Sequence, residues 1–261
     1  MFFSYHVTLL ILCPLIFLAA FIDSIAGGGG LISLPAYIFV GLPIHMAYGT
    51  NKLPASMGLV TAMTNYLRGG CVDFQAAISG GIFALIGSLI GTMLALSLSP
   101  RVLQICLMVI LPLVGVFILS KRGTGNSNKK EAPPFRKKII LCSCIGLVFG
   151  CYDGFFGPGA GMFMTIALTG LVSLDLIKSV GTAKVINFAS NFTSMITWLV
   201  NGKILLPVAI PCVFCSVAGG FLGSRLAMKI GKKFIRLILA LVAILLFIKI
   251  LSDLIKGYHP S

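Results

Sequence analysis

Apolar stretches of roughly 20 residues recur along almost the whole 261-residue chain. At 1.5 Å per residue, each is long enough as a helix to cross a hydrocarbon core of about 30 Å. The strands of a membrane barrel alternate apolar and polar residues in segments of about ten, whereas residues 235–251 read IRLILALVAILLFIKIL. The pattern predicts an all-α polytopic membrane protein. Composition agrees: 58% of residues are hydrophobic, 10% are charged and mean hydropathy is +1.07, against about a quarter charged in soluble domains. The first apolar run has no basic lead-in and no small-residue cleavage site after it, so it reads as a retained helix.

A net charge of +14 would suggest nucleic acid in a soluble protein. Here twelve of the twenty Lys and Arg fall in two short connections, seven within 121–138 and five within 225–236. Basic clusters beside apolar spans are a topology signal that marks cytoplasmic loops, and no nucleic-acid partner is expected. The eight cysteines sit mostly in apolar surroundings and read as small hydrophobes between helices; Cys212 and Cys215 have redox-motif spacing but lie inside an expected span.

The chain repeats itself. Asp23 precedes a glycine run, Gly27, Gly28, Gly29 and Gly30, and 130 residues later Asp153 precedes Gly157, Pro158, Gly159 and Gly161. The block Gly49-Thr50-Asn51-Lys52 returns as Gly181-Thr182-Ala183-Lys184 at an offset of 132, which then carries Gly70 to Gly202 and the Gly87/Gly91 pair to Gly219/Gly223. Agreement over half the chain indicates a duplication. Each half reads as five helical segments, in the first half at about 7–26, 31–42, 44–67, 74–98 and 102–120. The second segment reaches only about 18 Å and is a half-helix opened by the glycine break. The others are full spans. The connection at 99–101 carries one basic residue, while its counterpart at 231–233 lies in a five-charge cluster. The two face opposite sides, which makes the halves inverted repeats. The organisation expected is a first transmembrane repeat (1–120), a basic cytoplasmic linker (121–138) and a second repeat (139–261), with both termini outside.

Inverted repeats with a glycine-interrupted helix at matching places point to a transport site near the membrane midplane. A broken helix presents unpaired N–H groups and a positive dipole end, so the expected ligand is a small anion. The amides of 27–31 and 157–162 are expected to converge on it. Lys52 and Lys184, each about eight residues into a span, are costly in lipid unless they have a function there. Thr50, Asn51, Thr182, Asn187 and Asn191 lie nearby as hydrogen-bond donors. The expected binding set is Gly27, Gly28, Gly29, Gly30, Asn51, Lys52, Gly157, Gly159, Gly161, Thr182, Lys184 and Asn187, with Asp23 and Asp153 as symmetric candidates for coupling. Pro43 and Asp175 fall where helix starts are expected, and the GxxxG pairs are packing motifs.

The segments FIDSIAGGGGLISLP (21–35) and GTNKLPAS (49–56), with Gly157-Pro-Gly-Ala-Gly161 and Gly181-Thr-Ala-Lys184 as second-half counterparts, resemble the sulfite exporter (TauE/SafE) family over almost the entire chain. The resemblance implies export of small sulfur-containing anions such as sulfite or organosulfonates, in a bacterial inner membrane. A passive anion channel shares every feature above. An intramembrane aspartyl-type hydrolase built on Asp23 and Asp153 lacks the partner GxGD sequence, and HExxH and GxSxG are absent too. The expected protein is not an enzyme, needs no cofactor or metal, contacts the lipid bilayer and a small anionic substrate, and is compatible with a homo-oligomer.

Overall fold

The computed structural model describes residues 2–106 and 133–230. Helices α1 (Tyr5–Ala26), α2 (Gly30–Phe39), α3 (Ile44–Arg68) and α4 (Phe74–Ser97) belong to the first half, followed by helical turns from residue 100 to 106. Helices α5 (Phe135–Phe155), α6 (Ala160–Leu171), α7 (Leu176–Val200) and α8 (Leu206–Ile230) belong to the second. There is no strand among the described residues. The second set starts 130, 130, 132 and 132 residues after the first (135 − 5, 160 − 30, 176 − 44, 206 − 74), the offsets of the sequence repeat. The fifth segment beyond residue 106, the linker up to 132 and the basic residues of 231–236 lie outside the described residues. Helix α5 begins at Phe135 after the N-cap Pro134, so the last four residues of the stretch read as linker form its first turn.

Among the described residues, four helices, α1, α4, α5 and α8, are long and apolar enough to cross a membrane. The sequence led us to expect full apolar spans at 44–67 and its counterpart as well. Helices α3 and α7 have the length, 25 residues each, but carry buried Lys52, Asn65, Lys184, Asn187 and Asn191. They tolerate these groups because they are the inner pair: α3 packs on α1, α2, α7 and α8, and α7 on α1, α3, α4, α5 and α6. The outer helices turn apolar side chains outward, with Ile78, Ile82, Ile86 and Met93 on α4 and Ile210, Phe214 and Leu222 on α8 exposed.

The helix contacts come in matching pairs: α4 on α5 and α1 on α8, then α4 on α7 and α3 on α8. Small residues bring the first two pairs to backbone contact. A Cβ added to Gly146 would collide with the Gly80 carbonyl, and one on Gly87 or Gly91 with the carbonyl of Leu147 or Cys151; Gly219 and Gly223 meet the Phe17 and Phe21 carbonyls in the same way. Each short helix folds back on the long one before it. The Phe2 amide donates to the Val40 carbonyl at 3.1 Å, and the Phe3 and Phe39 rings lie 6.1 Å apart. Across the second break, Tyr152 donates to the Pro158 carbonyl at 2.7 Å and Phe149 stacks on Phe163 at 5.9 Å.

Candidate functional site

The glycine breaks are where the chain reverses, and they need glycine for two reasons. Gly27 (φ 76°), Gly28 (φ 121°), Gly157 (φ 90°) and Gly159 (φ 83°) adopt backbone conformations that L-residues avoid. The two breaks also touch. A Cβ on Gly27 would strike the Met162 amide, and one on Gly30 would lie 3.0 Å from Pro158 Cα.

Beside this contact lies a cavity of about 60 Å³, room for a few water-sized groups. It is lined by Asp23 and Ser24 of α1, Gly29, Gly30 and Ser33 at the first break, Asn51 and Lys52 of α3, Asp153 and Gly157 at the second break, Gly161 of α6, Asn187 and Asn191 of α7 and Ser216 of α8. Both halves contribute. Of the residues singled out from the sequence, the structure thus brings together Asp23, Gly29, Gly30, Asn51, Lys52, Asp153, Gly157, Gly161, Asn187 and Asn191. Gly27 and Gly28 support the break behind it, Gly159 caps α6 in the left-handed conformation, and Lys184 stands behind Asp23. Thr182 is not part of the site. Its hydroxyl accepts the Asp73 amide at 3.0 Å, as Thr50 accepts the Leu205 amide at 3.0 Å, so this related pair pins the start of an outer helix of one half to the inner helix of the other.

Charge crosses between halves. Lys52 Nζ donates to the Asp153 carbonyl at 2.8 Å, to Asp153 Oδ1 at 3.1 Å and to Asn191 Oδ1 at 3.1 Å. Lys184 Nζ donates to the Asp23 carbonyl and, at 3.1 Å, to Asp23 Oδ2. Each buried ammonium therefore meets a carboxylate near a helix break of the opposite half, where pairing offsets the cost of burying both charges. Asp153 Oδ2 also accepts from Ser190 at 2.6 Å and Asn191 at 2.8 Å. Asn187, Ser190, Asn191 and Ser194 are all buried. They recur at i, i+3, i+4 and i+7, the period of one helix face; that spacing was the available signal for Ser190, which the sequence reading did not single out.

The sequence placed the amides of both breaks around a substrate, and the structure corrects this for most of them. Gly28 and Gly29 donate to Asp23 Oδ1 at 2.9 and 3.0 Å, and Gly27 donates to the Asp23 carbonyl. Leu31, Ala160 and Met162 donate within their own turns. The amides of Gly30 and Gly161, both on the cavity wall, have no hydrogen-bond partner among the described residues.

A helical bundle with lipid-length apolar helices around a polar cavity, walled by interrupted helices from both halves, defines a polytopic membrane transporter. The family model described as "Sulfite exporter TauE/SafE" matches residues 12–250, and the chain belongs to that family. It is 34% identical to a "Probable membrane transporter protein" of Haemophilus influenzae over 91% of this chain and 92% of the relative. It is 33% identical to "Probable membrane transporter protein ORF9" of a Sinorhizobium species over 91% and 90%, and 31% identical to "Probable membrane transporter protein YfcA" of Escherichia coli over 90% and 87%. No solved structure matches the chain.

Proposed function

We propose that the protein exports a small anion, sulfite or an organosulfonate, and binds it in the cavity between the two breaks. The observation that carries this reading is the pair of buried lysines. Lys52 lines the small cavity and Lys184 stands directly behind Asp23 on its wall, so two buried ammonium groups from opposite halves serve one cavity beside two helix starts. The matched helix starts and contact pairs support two inverted repeats meeting at the cavity, a geometry suited to exposing one site to either side in turn. On this reading the linker of 121–138 is cytoplasmic and the protein resides in the bacterial inner membrane, its basic connections turned inward.

The test is flux through purified protein in proteoliposomes loaded with labelled sulfite. Saturable efflux that accelerates on addition of external sulfite, and weakens in Lys184→Ala, is expected. Flux rising linearly with concentration and without counter-flow would instead indicate a passive pore. Absence of sulfite and sulfonate flux would remove the substrate assignment.

A further inference from the structure

The two carboxylates of the cavity are not equivalent, and the difference traces to Pro158 at the second break and to two side chains of α7. Asp23 Oδ1 is held by the amides five and six residues on, those of Gly28 and Gly29. The corresponding residues after Asp153 are Pro158 and Gly159. Proline has no N–H to offer, and Asp153 is held instead by the side chains of Ser190 and Asn191. Their first-half counterparts, 132 residues earlier, are Gly58 and Leu59, which carry no side-chain donor.

The lysines differ in the same sense. Lys52 has all three N–H groups engaged, on the Asp153 carbonyl, Asp153 Oδ1 and Asn191. Lys184 has two engaged, both on Asp23, and its third has no partner among the described residues. The Asp153 side chain is 3% exposed and that of Asp23 21%. One half of the site is locked. The other holds a carboxylate at the edge of the cavity.

We propose that Asp23 is a tethered occupant of an oxyanion cradle formed by the Gly28 and Gly29 amides and the Lys184 ammonium, and that the transported anion takes these donors when Asp23 leaves them. The inference rests on reading the cavity as an anion site. A carboxylate and a sulfite or sulfonate offer these donors the same thing, oxygens sharing negative charge and accepting N–H bonds of about 2.9 Å. The positive end of α2 favours an anion whichever molecule supplies it. Exchange of one for the other keeps Lys184 paired throughout, so the buried charge is never left uncompensated. Pro158 confines the cradle to the first break, and Asp153 remains in place during transport.

Calorimetric titration of the purified protein with sulfite tests this. Asp23→Asn removes the competing charge at nearly constant size and should tighten the sulfite Kd tenfold or more. Adding Lys184→Gln to that variant should reverse the gain, and Asp153→Asn should produce none. An unchanged or weaker Kd in Asp23→Asn overturns the proposal. A second measurement needs no variant. In the wild type, saturating sulfite should raise carbodiimide labelling of Asp23 several-fold, read by mass spectrometry, and leave Asp153 unlabelled. Protection of Asp23 by sulfite overturns the proposal. If neither sulfite nor methanesulfonate binds to the wild type or to any variant, the anion reading itself fails, and the role of Asp23 with it.

Discussion

Lys52 Nζ lies 3.1 Å from Asp153 Oδ1, joining the two halves through an ion pair whose side chains are only 4% and 3% exposed. Removing one partner of such a pair leaves a charge stranded in a dry interior, at a cost of about 3–5 kcal/mol. Lys52→Met should therefore lower stability by about that much. Lys184→Met should cost less, because Asp23 keeps its two amide donors and partial exposure. The double variant Lys52→Met/Asp153→Leu should recover most of the loss. Thermal unfolding in a fixed detergent ranks the three, and equal losses for the two lysines would contradict the asymmetry.

The glycines of the α4–α5 contact make a separate prediction. Gly146 meets the Gly80 carbonyl where a Cβ would have to be, whereas a Cβ on Gly170, near the end of α6, meets nothing within 4 Å. Gly146→Ala should force the helices apart and destabilise by about 1–3 kcal/mol, the usual range for overpacking. Gly170→Ala should be neutral or stabilise by up to about 1 kcal/mol through helix propensity. Melting temperatures of the two variants measured side by side decide the matter. A loss at Gly170 as large as that at Gly146 would show that propensity and packing have been assigned to the wrong sites.

The helix boundaries were readable because apolar runs, glycine breaks and cap residues are local signals. Asp175 caps α7 by accepting the Ile177 amide, and Pro43 stands at the cap of α3, as their positions indicated. The offsets that the helix starts follow were readable because glycines that packing requires carry them. The partners were not. Nothing local says that Lys184 reaches Asp23 of the other half, since that depends on which helices face each other. Thr182 was misplaced for a simpler reason: it lies two residues from Lys184, and residues two apart point to different sides of a helix. The break amides were misjudged because an aspartate four residues before the first glycine can fold back over them, a contact set by the turn and not by composition.

Asp73 offers a prediction about pH. It caps α4 by accepting the Ala76 amide at 3.0 Å, and Lys138 in the first turn of α5 donates to its other oxygen at 2.6 Å. Burial by itself would raise this carboxyl, but the Lys138 ammonium, the Ala76 amide and the Lys178 charge outweigh it and hold Asp73 below the ordinary carboxylate range. Folding thus favours the ionised form. The resulting stability is fully present above about pH 4, the unfolded value, and is lost as pH falls through the lower folded value. Asp73→Asn isolates the effect, because asparagine caps helices nearly as well as aspartate but carries no charge for Lys138. The wild type should melt higher than Asp73→Asn at pH 7, and the gap should narrow steadily below about pH 4. Lys138→Gln should show the same narrowing, since it removes the other end of the interaction. A gap that stays constant between pH 7 and pH 3 would mean that the carboxylate charge contributes nothing to holding α4 against α5, leaving the glycine contact alone to do so.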